Sequence, residues 1–124
     1  MSCFSLVVTT SPIDNKTNTA LAFANELVQQ GHTINGIFFY QDGVLSANKY
    51  VQAPSDEINL LTAWADFNKH TSTPLHLCIT AGERRGLTDS DDEQLNHNIH
   101  AAFTISGLGE LVVLTSAADK VVQL

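Results

Sequence analysis

Cationic side chains are scarce in this sequence: 6 lysines and arginines stand against 13 aspartates and glutamates, for a formal net charge of −7. Nucleic-acid binders carry a basic stripe, whereas the only adjacent cations here are Arg84 and Arg85. An acidic chain repels phosphate backbones at long range. Direct RNA or DNA binding is therefore not expected, and any nucleic acid at the end of its pathway should be held by another protein. Cysteine is also sparse. Cys3 and Cys78 can pair in principle, but two cysteines do not make a disulfide scaffold. No apolar run approaches the length needed to cross a bilayer. The N-terminus lacks the basic stretch, apolar run and small-residue cleavage site of a signal peptide. A reducing compartment, the cytoplasm, is the expected location. Repeats, linkers and low-complexity tracts are missing too.

What remains is a chain built for a core. Hydrophobic residues make up 44% of 124 and charged residues 15%, which predicts one globular domain over residues 1–124. Ser5 to Thr10 is β-branched and apolar and stops at Ser11-Pro12, as a buried strand does. Ala20, Phe23, Ala24, Leu27 and Val28 then recur at helical spacing. Asn15 or Thr17 can cap that helix, and Gly31 suits the left-handed position after it. Thr33 to Tyr40 reads as a second strand, closed by the turn-like Gln41-Asp42-Gly43.

Strand, helix, strand in succession implies a right-handed crossover and a parallel pair. A short helix over Val44 to Tyr50 is expected next. A further helix, capped by Asp56, carries Leu60, Leu61, Trp64 and Phe67 and ends near His70. Leu75 to Ile79 reads as a third strand. Leu87 to His100 reads as loop with at most a helical turn. Leu108, Leu111, Val112 and Thr115 suggest a last helix, and Lys120 to Leu124 a closing strand. The pattern is an α/β three-layer fold, with a mostly parallel sheet and helices on both faces.

Cys78 is the residue best placed for chemistry. It ends the run Leu75-His76-Leu77-Cys78-Ile79 and precedes Arg84-Arg85-Gly86. Strand ends in open α/β sheets collect ligands and reactive groups, and neighbouring cations favour a thiolate. The spacing fits a second reading equally: a small apolar residue filling space. Arg84 and Arg85 can fold back over Cys78 or stay solvated, with Glu83 offsetting part of their field. His76 shares strand parity with Cys78, but residues two apart on a strand lie about 7 Å apart. A satisfied core histidine is the expected outcome. Cys3, at the start of the first strand, reads as structural or simply accessible.

Other candidate sites are weaker. Thr9 to Thr17 resembles a hydroxyl-rich phosphate loop, yet it has no glycine and Pro12 removes a donor. A capped turn explains it without a flavin or nucleotide. Gly107-Leu108-Gly109 is a fragment of a dinucleotide motif; Ser106-Gly107 more simply turns the chain into the last helix. Asp89, Asp91, Asp92 and Glu93, with His97 and His100 following, lack the spacing of a calcium loop or a zinc site. They read as an acidic helix start in water.

An ordered set of segments adds a resemblance. It comprises Ile37-Phe38-Phe39-Tyr40, Asp42-Gly43-Val44, Ala47-Asn48, Pro54-Ser55-Asp56-Glu57, Ala63-Trp64, Cys78 with Arg84-Arg85-Gly86, Phe103 to Gly109, and Asp119 to Gln123. Through these, across essentially its whole length, the chain resembles the TusD/DsrE sulfurtransferase subunits. Pro54-Ser55-Asp56-Glu57 and the C-terminal match lean toward the TusD branch. One departure is Ile79-Thr80-Ala81-Gly82-Glu83, where the family has a run of small apolar residues.

The resemblance implies that Cys78 takes a sulfane sulfur as a persulfide and passes it on. It also implies TusB-like and TusC-like partner subunits in a heterohexamer, a TusA-like donor and a TusE-like acceptor, leading to 2-thiouridine at the tRNA wobble position. The DsrE branch serves sulfur oxidation instead. Persulfide exchange requires no metal or organic cofactor. Two rivals from other classes remain: a catalytically silent subunit with Cys78 buried, and a flavodoxin-like binding protein.

Overall fold

The computed structural model describes residues 1–13, 16–51, 59–89 and 97–124. Its elements are β1 (Cys3–Val8), α1 (Lys16–Gln29), β2 (Thr33–Phe39), a 3₁₀ helix (Gln41–Ala47), α2 (Leu60–Thr71), β3 (Leu75–Cys78), α3 (Ile79–Arg84), β4 (Phe103–Ser106), α4 (Leu108–Ala117) and β5 (Lys120–Gln123). The strands form one sheet in the order β4-β3-β2-β1-β5, and every neighbouring pair is parallel. The chain steps outward from β1 to β4 and then returns, so that β5 flanks β1 on its other side.

The three central strands are nearly continuous apolar runs because both faces of the sheet are covered. On one face α1 and α2 pack over Phe39, Leu77 and Phe103. Phe39 meets Trp64 and Phe103 edge-on, with ring centroids 5.3 and 5.1 Å apart. The other face carries α4. Its Leu114 sits directly over Gly36, where a Cβ would lie 2.8 Å from a Leu114 methyl. The Leu114 carbonyl is one of the orphan acceptors of a helix C-terminus. The Ser5 hydroxyl and the Asn35 amide, each 2.9 Å away, satisfy it.

Several sequence expectations need correction. Thr17 lies inside α1, so it does not cap that helix, while Asn15 falls outside the described residues. Val28 lies on the exposed side of α1, and the buried stripe is Ala20, Ala24 and Leu27. Asp56 is also outside the described residues; the cap of α2 is Asn59, whose side chain accepts from the Thr62 N–H at 3.2 Å. The short helix begins at Gln41, three residues earlier than expected, and is 3₁₀. Ile79 opens α3 instead of ending β3. In α4 the inward residue is Leu114, whereas Val112 is 62% exposed.

Phe103 to Ser106 was not recognised as a strand. Four residues at a sheet edge, half of them polar, carry too little periodicity to show. Around the tract read as loop, Ile99 is buried and bridges Asn48, and the Asn98 side chain accepts from the Thr88 N–H. These bonds fasten residues 97–100 to the body. The tip, 90–96, is outside the described residues.

Gly43 is where the 3₁₀ helix crosses the end of β1. A Cβ there would lie 2.1 Å from the Val8 carbonyl oxygen, which already accepts from the Tyr40 N–H. Backbone on both sides leaves nothing soft to move. Gly43→Ala is expected to destabilise the fold by about 1–3 kcal/mol, the usual range for overpacking, measured by urea unfolding. Gly109→Ala, with open space around it, serves as the control and should leave the midpoint near wild type.

Candidate functional site

The carboxyl ends of β2 and β3, with the turns that follow them, enclose a cleft of about 440 Å³. Cys78 is the last residue of β3, and α3 starts at the next residue with no intervening loop. Cys78 thereby occupies the N-cap position of α3 with extended backbone, and its side chain makes no cap hydrogen bond. It lines the cleft yet is only 1% exposed. The thiol is buried in the cleft wall and does not project from its surface.

A short helix brings the cations to the cleft. Arg84 and Arg85 ride on the C-terminal turn of α3, and both line the cleft with Cys78. Their roles divide. Arg85 Nε donates to Asp42 Oδ1 at 2.9 Å and Nη1 donates to the Ala81 carbonyl at 3.0 Å. That ties α3 to the 3₁₀ helix and spends the charge of Arg85 on a carboxylate. Exposed pairs of this kind add little to stability, so its effect is geometric. Arg84 is exposed and makes no ion pair among the described residues. It is the free cation of the cleft. Glu83 is exposed and is not among the lining residues.

The opposite wall was not identified from sequence. Tyr40, Gln41 and Asp42 form it, and Leu108 from the start of α4 closes one side. Gln41 holds φ at 51°, an uncommon conformation for a non-glycine residue. The turn signal at Gln41-Asp42-Gly43 marked the place without indicating that it would face Cys78.

His76 and Cys78 do share one face of the sheet, the α4 face. His76 is not paired to Cys78, however. Its Nδ1 lies 2.9 Å from Ser106 Oγ, and its Nε2 3.8 Å from Glu110 Oε1. Burial pushes the His76 pKa below its ordinary value, and the nearby Glu110 carboxylate opposes that shift. Ser106 stands in register opposite Cys78 in the neighbouring strand.

The other candidates fall away from this cleft. Cys3 begins β1 at the far end of the sheet, and both cysteines are free thiols. In the loop after β1, the Thr9 N–H donates to the Leu124 carbonyl at 2.8 Å, so this donor is already engaged within the chain. Gly107 is the N-cap of α4, and Leu108 and Gly109 are its first residues. Asp89 is exposed; Asp91, Asp92 and Glu93 lie outside the described residues. His100 Nδ1 accepts from the Ala102 N–H at 3.0 Å. Among the described residues no three His, Cys, Asp or Glu side chains gather as a metal site, and no helix is long and apolar enough to cross a membrane.

Similarity to known proteins follows the same outline. The chain superposes on the crystal structure of the ychN protein from E. coli over all of both chains, with a TM-score of 0.82 at 22% identity, which establishes a common fold. It is 39% identical over 123 residues to the sulfurtransferase TusD homolog of Haemophilus influenzae, covering 96% of this chain and 98% of that one. Against sulfurtransferase TusD of Yersinia pestis it is 41% identical over 110 residues, 86% of this chain and 84% of the relative. Sulfurtransferase TusD of Klebsiella pneumoniae is 38% identical over the same length, 86% of each. The DsrE/DsrF-like family model matches residues 4–124. With its parallel sheet, its cleft at the strand ends and these relatives, the chain belongs to the DsrE/DsrF-like family.

Proposed function

We propose that this chain is a sulfur-relay sulfurtransferase that carries sulfur as a persulfide on Cys78. The observation that carries the reading is a thiol lining a cleft together with Arg84, a cation with no ion pair among the described residues. The TusD relatives, named sulfurtransferases, support the same chemistry. In the first half-reaction the Cys78 thiolate attacks the outer sulfur of a donor persulfide. The donor S–S bond breaks, the donor leaves as a thiolate, and Cys78 holds the outer sulfur. An acceptor thiolate then attacks that sulfur, and Cys78 leaves as the thiolate. Each half conserves electrons, so no oxidant enters. Thiolate fraction, leaving group and access govern both rates. Arg84 draws an anionic sulfur donor into the cleft.

On this reading the donor is TusA-like and the acceptor TusE-like, with TusB-like and TusC-like chains as partner subunits. The sulfur ends in 2-thiouridine at the tRNA wobble position. The −7 charge suits a protein that meets sulfur carriers and leaves the tRNA to others. A DsrE-type role in sulfur oxidation uses the same half-reactions.

The burial of Cys78 favours one competing reading, a structural subunit with an inert thiol. Iodoacetamide separates the two: labelling of Cys78 at neutral pH marks a reactive thiolate, and its failure on the folded chain marks the structural role. For the relay, incubation with a persulfidated donor is expected to add one sulfur to the Cys78 peptide, removed again by reductant and read by mass spectrometry. Cys78→Ser should abolish the gain while leaving the fold intact; uptake retained in that variant sinks the mechanism. Arg84→Ala should slow uptake on the order of tenfold at low ionic strength, and added salt should narrow the gap to wild type, as screening of an exposed charge requires. An unchanged rate removes Arg84 from the chemistry.

A further inference from the structure

The buried imidazole of His76 is a titratable group that the transfer steps above leave unused. Each wall of its pocket is known. β2 faces it with Gly36 and Phe38, β4 with Thr104 and Ser106, and α4 with Glu110 and Leu114. Glu110 is the one charged side chain among these neighbours. A carboxylate beside Nε2 favours the tautomer with its proton there, which leaves Nδ1 as an acceptor. Ser106 Oγ, 2.9 Å from Nδ1, is then the donor in that bond. Its other acceptor, the Thr104 carbonyl, lies at 3.5 Å and competes weakly.

We propose that His76 is a positioning residue for sulfur transfer, accepting the proton of Cys78 by way of the Ser106 hydroxyl while Glu110 holds the ring. The register carries the argument. Cys78 and Ser106 are paired across β3 and β4, so their side chains leave the same face of strands about 4.8 Å apart. His76, two residues back on β3, is on that face as well. A hydroxyl that donates to Nδ1 keeps lone pairs with which to accept, so Ser106 Oγ can serve the Cys78 thiol without leaving His76. The step balances: Cys78 gives its thiol proton to Ser106 Oγ, Ser106 gives its own to Nδ1, and a thiolate and an imidazolium result. The imidazolium faces Glu110, which offsets its charge. Burial lowers the pKa of His76, which keeps Nδ1 unprotonated at neutral pH, and the Glu110 carboxylate opposes the accompanying loss of basicity. This inference rests on Cys78 being the working thiol.

The test is the pH profile of Cys78 alkylation by iodoacetamide on the full chain, followed by peptide mapping, with thermal melts to establish folding. No sulfur donor is involved, so the result is independent of uptake by Cys78→Ser. In the wild type the rate should fall on acidification as His76 becomes protonated, at a pH below the ordinary histidine range. His76→Gln and Ser106→Ala should each slow alkylation at neutral pH on the order of tenfold, within the reach of a single proton acceptor, and should remove the histidine limb, leaving the single fall with acid that any thiol shows. Glu110→Gln removes the influence that raises the pKa of His76, so the limb should move to lower pH. Ser106→Ala keeps the ring in place and carries the test if the histidine variant does not fold. Profiles that coincide for wild type and every folded variant overturn the proposal. So does a His76→Gln profile that keeps the wild-type shape. If the variants behave as expected but Cys78→Ser still takes up sulfur, the proton relay stands and the sulfur-transfer reading falls.

Discussion

All five strands run in one direction, and the rest of the molecule follows from that constraint. A parallel strand cannot be reached by a tight turn, so each connection has to cross a face of the sheet before the next strand begins. The crossing helices bury Phe39, Leu77 and Phe103 on one side and Gly36 on the other. Because every strand ends at the same edge, the segments that leave β2, β3 and β4 emerge together. The 3₁₀ helix, α3 and the start of α4 are those segments, and the cleft is the space among them. The site is thus a consequence of topology before it is a consequence of any side chain.

Within that frame the local chemistry is economical. The chain passes from β3 into α3 at Cys78 itself, so the thiol is held by strand hydrogen bonds on one side and a helix start on the other. Arg85 is used to hold the wall, through Asp42 and the Ala81 carbonyl. That leaves Arg84 as the available charge. Two arginines adjacent in sequence are therefore not equivalent, because successive residues on a helix point about 100° apart and only Arg85 reaches the 3₁₀ helix. Beside them, on the α4 face, His76, Ser106 and Glu110 form a second polar group. A polar cluster inside an otherwise apolar layer is tolerated when its members are paired; His76 and Ser106 bond at 2.9 Å, and Glu110 at 3.8 Å adds a charge contact.

Much of this was legible from residue order. The apolar runs at β1, β2 and β3, the helical spacing of Ala20, Ala24 and Leu27, and that of Leu60, Trp64 and Phe67 mark their elements because burial on one face imposes a period. The position of Cys78 at a strand end, with both arginines downstream, was visible for the same reason. The misreadings share a cause as well. β4 is too short and too polar to show a period. The N-cap of α2 fell to Asn59 when Asp56 was an equally good capping residue by type. Val28 and Val112 fit their helical stripes by spacing, yet neither faces the core.

By itself, then, the sequence determined the α/β class, most of the elements and the candidacy of Cys78, since periodicity, turn residues and strand ends are local properties. Tertiary structure alone decided that Tyr40, Gln41 and Asp42 would face Cys78, that Arg85 would be neutralised while Arg84 has no ion-pair partner among the described residues, and that Ser106 would bond His76 in register with Cys78. These residues lie tens of positions apart in the chain. Only the parallel register of β2, β3 and β4 brings them to one edge, and register is set by packing across the whole sheet, not by any one segment of it.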